Sequence, residues 1–299
     1  MPDSSTPYRG RFAPSPTGPL HLGSLIAALA SCLDARAQRG SWLVRIDDLD
    51  PPREEPGAAA GILQSLRCHA LHWDEDILYQ SQRSLPYQKV LDTLQSKGLL
   101  FACDCTRAQL DANGNCGGDC RRRQTDITGP AAVRAHLSKG SVIRFTDQLQ
   151  GQQTLASGQP INDFVVRRKD GLNAYQLAVV VDDAAQGINH VVRGSDLLDT
   201  TAKQVFLQQQ LDYPTPVYCH LPVITNSLGQ KFSKQTHARP LDDDAAAGNL
   251  RLALSFLDQP APPSALLLPA EILAFATTHW QRDRIPARAA IDAATIGVT

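Results

Sequence analysis

The stretch APSPTGPLHLGS, residues 13 to 24, combines glycines, prolines and one histidine in a pattern suited to holding an anion. Gly18 and Gly23 allow backbone to approach a ligand closely. A helical pattern begins near His21, so unpaired N–H groups and the positive dipole end face whatever binds there. His21 adds an imidazole donor at the same spot, and a triphosphate is a natural occupant. Taken alone, a histidine at a helix start is more often a cap or a packing residue. Much further along, Gly229-Gln230-Lys231-Phe232-Ser233-Lys234-Gln235 sets two lysines in a polar loop, spaced to converge on one phosphate group. Such charges count most when negative charge develops on departing pyrophosphate. Standing by itself, this loop reads as a solvated basic turn.

A third set is cysteine. Cys103-x-Cys105 and Cys116-x3-Cys120 bring two close pairs into one short segment, with Gly114, Gly117 and Gly118 letting the second pair fold tightly. Four thiolates match a closed, tetrahedral, structural zinc site, one ion per chain. No ligand position would be open, so the ion would hold shape and carry no chemistry. Four unrelated reduced thiols is the plainer alternative. Cys32, Cys68 and Cys219 are scattered singles and read as small hydrophobes. Arg121-Arg122-Arg123 follow the last ligand directly, and Arg167-Arg168-Lys169 form a second basic triplet; both are candidates for phosphate contact or for solvated surface.

These groups need a frame. Residues 8 to 12 read as a short strand. From His21 to about Gln38, Leu22, Leu25, Ile26, Leu29 and Leu33 recur at helical spacing, and Gly40 marks the end. SWLVRID (41–47) reads as a second, buried strand. Strand, helix and strand in so few residues make a βαβ unit and therefore a parallel sheet. Helices are expected over 57–71 and 84–97. Between about 100 and 160 periodicity fades, which suggests an insertion. LAVVVDD (177–183) reads as a buried strand ending in carboxylates. Asp182 and Asp183 then fall at a strand-end turn. After Pro240, AAAGNLRLALSFL and LLLPAEILAFATTHW read as helices.

Composition bounds the class. The chain has 299 residues, 42% hydrophobic and 20% charged, with a formal net charge of −1. That is ordinary globular usage, with no global pull toward nucleic acid. No apolar run reaches the length of a membrane span, and the N-terminal residues lack a signal peptide's regions. A cytoplasmic protein without membrane contact is expected.

Together the first two motifs resemble the HIGH and KMSKS signatures of class I aminoacyl-tRNA synthetases, as His21-Leu22-Gly23-Ser24 and Lys231-Phe232-Ser233-Lys234-Gln235. RFAPSPTGPLHLGS, RIDDLDPPRE, LHWDED, YQSQR and LAVVVDDAAQGINHVVRGSDLL extend the resemblance to glutamyl-tRNA synthetases, in order over residues 8 to 240, about four-fifths of the chain. The resemblance implies an α/β, Rossmann-like class I catalytic domain with a zinc-containing insertion and a short helical C-terminal region. Its boundaries would be 1–100 and 176–240 for the two catalytic halves, 101–175 for the insertion and 241–299 for the tail. It implies ATP, with Mg, bound by His21, Gly23, Ser24 and Lys234, and catalysis by His21, Gly23, Lys231 and Lys234. L-glutamate would lie among Arg11, Ala13, Ser15, Asp47, Tyr175 and Arg193. An Arg fork supplies a carboxylate with two parallel bonds. Where the family usually has Glu to hold the substrate amino group, this chain has Asp47, shorter by one C–C bond (~1.5 Å) that a bridging water or shifted backbone would make up. Adenylate formation needs no general base, because the attacking carboxylate is already ionised; Asp182 and Asp183 are therefore left out of the catalytic set.

Ordinary members of that group carry a large helical anticodon-binding portion beyond the second motif, and the residues from Gln235 to Thr299 are too few for it. The KFSKQ ending, the short tail and the four-cysteine insertion resemble truncated relatives that attach glutamate to queuosine at the wobble position of tRNA(Asp). A monomer with L-glutamate, ATP and that tRNA as partners is expected. Two alternatives are a truncated enzyme charging the 3′ end of tRNA(Glu), and an inactive, zinc-stabilised RNA-binding module. Retention of His21, Gly23, Lys231, Lys234, Arg11 and Arg193 argues against the last.

Overall fold

A computed structural model describes residues 6–112, 114–124, 129–157, 160–226 and 239–296. The segment 229–235, with Lys231 and Lys234, lies outside the described residues.

The chain opens as expected. Strand β1 (Arg9–Phe12) leads through the Pro/Gly turn into helix α1 (Leu22–Ala37), which returns to strand β2 (Ser41–Ile46). β1 and β2 pair in parallel, Arg11 opposite Leu43. Parallel pairing demands a crossover, and α1 supplies it. Helix α2 (Ala58–Cys68) and strand β3 (Leu78–Tyr79) follow, β3 pairing in parallel with β2. Helix α3 (Ser84–Ser96) then leads out of this half.

The next stretch holds more order than its sequence suggests. Strands β4 (Leu100–Cys103), β5 (Ala132–Ala135) and β9 (Phe164–Arg167) form an antiparallel sheet, while β6 (Val142–Asp147) pairs antiparallel with β7 (Gly151–Ser157). A short helix, α4 (Asp119–Arg122), follows β4, and a two-residue strand, β8 (Pro160–Ile161), precedes β9. The strands are short and many outward positions are polar, so no long periodic signal exists to read.

Residues 177–183 are not a strand. They lie within helix α5 (Tyr175–Ala185), buried from Leu177 through Asp183. A short, continuous apolar run fits a buried helix as well as a buried strand, and the carboxylates decide against an exposed turn here: Asp182 and Asp183 are both buried and fully engaged. The parallel sheet resumes with β10 (His190–Gly194), helix α6 (Leu198–Gln210) and β11 (Val217–Leu221), with β10 and β11 in parallel register and Arg193 opposite His220. β10 lies beside β1: the Asn189 N–H donates to the Arg9 carbonyl at 3.1 Å, and the Arg9 N–H to Asn189 Oδ1 at 2.7 Å. Asp147 at the end of β6 pairs with Tyr218 on β11, so the insertion joins this half of the sheet.

The C-terminal region comprises helices α7 (Ala246–Phe256) and α8 (Pro269–Thr278), both packed on α1. α1 is therefore covered on two faces, by the sheet and by these helices, and is buried at almost every position from Leu25 to Ala35. Strand β12 (Val223–Thr225) pairs in parallel with β13 (Ala290–Asp292) near the C-terminus.

Candidate active site

The first cluster is a chain of four buried charges built from both halves of the fold. Arg11 on β1 gives Asp183 two bonds, from Nε at 3.1 Å to Oδ1 and from Nη2 at 3.3 Å to Oδ2. Arg45 on β2 adds Nη1 to Asp183 Oδ1 at 2.6 Å and Nε to Asp47 Oδ1 at 2.7 Å. Arg45 is completely buried, and a charge so placed survives only if paired. Two guanidinium groups and two carboxylates balance. Burial works against the charge on Asp183, but Arg11 and Arg45 outweigh it and hold the carboxyl below the usual Asp range. Asp47 has weaker support. Burial pushes its carboxyl up to about 6, against the pull of Arg45 and Arg11. Asp47 Oδ2 and Arg45 Nη2 are buried without a hydrogen-bond partner among the described residues. The Asp47 backbone N–H donates to the Pro14 carbonyl at 2.9 Å, which fixes this carboxylate beside the Ala13–Ser15 turn.

The second cluster surrounds Arg193 on β10. Its Nε donates to His220 Nε2 at 3.1 Å, its Nη2 to Thr201 Oγ1 at 2.8 Å and Gln204 Oε1 at 2.9 Å, and its Nη1 to the Tyr175 hydroxyl at 3.3 Å. His220 Nδ1 meets Asp147 Oδ2 at 2.6 Å. Burial lowers the proton affinity of His220 more than Asp147 raises it. Tyr218 borders this cluster: its ring stacks on His220, the Arg193 guanidinium lies over it, and its hydroxyl accepts from Gln208 Nε2 at 2.9 Å. Burial pushes its hydroxyl up to about 12, while the charges of Arg193, Asp183 and Arg11 all act on it.

The third element is the start of α1. His21 is its N-cap: the ring Nδ1 accepts from the Ser24 N–H at 3.3 Å, and Ser24 Oγ lies 3.1 Å from Nε2. Gly23 suits this fold-back, because a Cβ there would sit tightly, 3.1 Å from the His21 ring and 3.4 Å from Ile224 Cγ2 on β12. Beyond the undescribed segment the chain returns to the same place. His21 and Pro240 form an antiparallel bridge, and the Leu241 N–H donates to the Leu20 carbonyl at 2.9 Å. The chain just after the segment that holds Lys231 and Lys234 is thus tied to the residues around His21.

The four clustered cysteines converge. The Sγ atoms of Cys103, Cys105, Cys116 and Cys120 all lie within 4.8 Å of one another, compact enough for one tetrahedral ion. Gly117 and Gly118 make this possible with consecutive positive φ values of 61° and 85°, a turn that residues with a Cβ rarely adopt. Of the single cysteines, Cys32 and Cys219 are buried and Cys68 is half-buried. The neighbouring basic triplets are less free than their sequence suggests. Arg121 lies against His136 and Asp163, Arg122 against Asp119, Arg123 against Asp104 at 3.2 Å, and Arg168 against Asp50 at 3.0 Å and Asp170 at 2.6 Å.

Of the residues expected at the site, Arg11, Asp47, Tyr175 and Arg193 fall in the two buried clusters, with half-buried Ala13 and exposed Ser15 on the adjoining turn. His21, Gly23 and Ser24 sit together at the helix start. Sequence reading missed Arg45, Asp183, Asp147, His220, Thr201 and Gln204. The signals for two of them were a charged residue inside the buried strand SWLVRID and an acidic pair closing an apolar run, both of which demand partners.

The fold is thus a parallel α/β sheet with a helix opening under a histidine and, nearby, paired buried arginines. Residues 8–255 match the family of class I tRNA synthetases (E and Q), catalytic domain, and the chain belongs to that family of aminoacyl-tRNA synthetase ligases. Among its relatives are Glutamyl-Q tRNA(Asp) synthetases. That of Thiobacillus denitrificans (strain ATCC 25259 / T1) is 52% identical over 288 residues, covering 93% of this chain and 94% of its own. That of Pseudomonas putida strain F1 is 47% identical over 298 residues, covering 99% and 98%. Among solved structures, a glutamate tRNA ligase from Elizabethkingia meningosepticum CCUG26117 in complex with its amino acid superposes with a TM-score of 0.79 at 22% identity, over 95% of this chain and 67% of that one. At that identity the likeness speaks to the fold. No described helix is long and apolar enough to cross a membrane.

Proposed function

We propose that the protein activates L-glutamate with ATP and transfers the glutamyl group to queuosine at the wobble position of tRNA(Asp). The observation that carries the activation step is the bridge between His21 and Pro240, which brings the chain just after the segment containing Lys231 and Lys234 to the start of α1. The N-terminal N–H groups of α1 and these lysines then serve one triphosphate, delivered with Mg. Arg193, Tyr175 and Arg11 take the glutamate side-chain carboxylate. The unpartnered Asp47 Oδ2 receives the substrate ammonium, which would relieve a buried oxygen. The α-carboxylate, already ionised, attacks the α-phosphorus. The bond to the β-phosphate breaks and pyrophosphate leaves with the charge that Lys231 and Lys234 stabilise.

The four thiolates fit a zinc ion, which would lock the insertion's shape and take no part in adenylation. Transfer to tRNA(Asp) is supported by the names of relatives that match nearly the whole chain, and a cytoplasmic setting goes with that substrate. The test offers labelled glutamate to tRNA(Asp) with and without queuosine, and to tRNA(Glu). Label is expected only on queuosine-containing tRNA(Asp), and should survive periodate treatment of the 3′ end if queuosine's own diol is protected. Efficient charging of tRNA(Glu) with none on tRNA(Asp) would replace this reading with 3′-end charging.

A further inference from the structure

Arg193 differs from Arg11 in how it is held. Arg11 shares a carboxylate, whereas the four acceptors around Arg193 (His220 Nε2, Thr201 Oγ1, Gln204 Oε1 and the Tyr175 hydroxyl) are all uncharged side-chain atoms when His220 is neutral. A guanidinium can only donate, so His220 Nε2 must offer a lone pair, and the imidazole proton must reside on Nδ1. There it points at Asp147 Oδ2, 2.6 Å away. Asp147 is itself pinned by the His220 backbone N–H at 3.1 Å and by the N–H groups of Leu149 and Gln150 at 3.0 and 2.9 Å. A carboxylate touching Arg193 directly would compete with the substrate carboxylate for its donors, as Asp183 does in part at Arg11. One imidazole inserted between Asp147 and Arg193 orients the guanidinium and leaves its charge available.

We propose that His220, fixed as the Nδ1–H tautomer by Asp147 of the insertion, is a positioning residue that sets Arg193 for the substrate side-chain carboxylate. This deepens the glutamate reading of Arg193 and rests on it. The remaining groups facing the imidazole are consistent with a neutral ring: Thr201 Oγ1 lies 3.0 Å from Nε2, the Tyr218 ring stacks at 5.9 Å, and Asp196 acts on it only through its charge.

The test is glutamate-dependent ATP–pyrophosphate exchange with His220→Asn, His220→Gln and Arg193→Gln. Asn keeps a donor near the Nδ1 position and loses the acceptor at Nε2; Gln reaches the Nε2 position with an acceptor oxygen. His220→Asn should raise the KM for glutamate about tenfold or more, the scale of one lost bond to a charged group, with the KM for ATP unchanged. His220→Gln should recover most of that loss. A wild-type glutamate KM in His220→Asn, or equal damage in both variants extending to the KM for ATP, would overturn the proposal. If Arg193→Gln leaves the glutamate KM unchanged, the glutamate reading of Arg193 itself is wrong; if it raises that KM while His220→Asn does not, only the positioning role fails. The ¹⁵N resonances of His220 in the unmutated protein give a check independent of refolding. Protonated Nδ1 and unprotonated Nε2 at neutral pH are expected, and the other tautomer or an imidazolium would overturn the assignment.

Discussion

Replacing Asp183 with Asn tests the buried charge chain at its centre. The substitution conserves size and removes one charge from a group that accepts three bonds from two guanidiniums, at 2.6, 3.1 and 3.3 Å. Arg11 and Arg45 are 3% and 0% exposed, so water cannot replace the lost anion. Two buried cations would then face Asp47 alone, and the new amide would turn a donor toward one of them. Breaking a buried pair in this way costs about 3–5 kcal/mol, which for a chain of this size lowers the thermal midpoint by roughly 5–8 °C. Asp182, one residue earlier, is the internal control. It accepts from two neutral donors, Tyr87 and Gln80, and from Arg83, which is partly exposed, so Asp182→Asn should cost less, about 1–3 kcal/mol. The pH dependence has a defined sign. The folded-state pKa of Asp183 is depressed, so its contribution is complete above the ordinary Asp value and is lost as pH falls through the depressed one. The penalty of Asp183→Asn should therefore shrink in acid. Thermal unfolding followed by circular dichroism at neutral and acid pH measures both effects. A midpoint within about 1.5 °C of wild type at neutral pH, under about 1 kcal/mol for this chain length, would refute the coupling of these four charges.

Asp47 carries the opposite sign. Its folded pKa of about 6 lies above the unfolded value, so this group's effect on stability declines as pH rises from the ordinary Asp range to about 6. If the ionised form holds the substrate ammonium, kcat/KM for glutamate should fall about fivefold from pH 6 to pH 5, and Asp47→Asn should remove that limb; a flat profile in the unmutated enzyme would take Asp47 out of the role. Protein purified without chelators and under reducing conditions should carry about one zinc ion per chain by elemental analysis, and Cys103→Ser should lower that content while sparing pyrophosphate exchange. Metal-free protein would remove the structural site.

What the sequence made legible was whatever repeats at a fixed spacing. β1, α1 and β2 announce themselves through periodicity and a Gly stop, and the cysteine pairs through ligand spacing. α5 was misread because LAVVV is apolar at every position, and only partners distant in sequence reveal that it is a helix. Asp183 meets Arg11 and Arg45, which lie 172 and 138 positions away. The same limit hid His220. Nothing local in VYCHL shows that its histidine stands between an insertion carboxylate and a strand arginine. Arg11 and Arg193 could be proposed from a resemblance, but their different settings, one beside a carboxylate and one among neutral acceptors, exist only once the strands are side by side.

The C-terminal region reads in sequence as two anonymous helices, and its contacts give it a definite place. Asp34, buried on α1, accepts from the Tyr8 hydroxyl at 2.7 Å, Trp280 Nε1 at 2.9 Å and both arms of Arg282 at 2.9 and 3.0 Å. Tyr8 immediately precedes β1, so one carboxylate ties the first strand, the first helix and the segment after α8 together. A few residues later β13 pairs with β12, three residues in parallel register, just ahead of the segment that carries Lys231 and Lys234. The region therefore braces both the opening βα unit and the strand just ahead of the undescribed segment. Held at both points, β12 and the opening βα unit are joined through one region although they lie some two hundred residues apart in sequence.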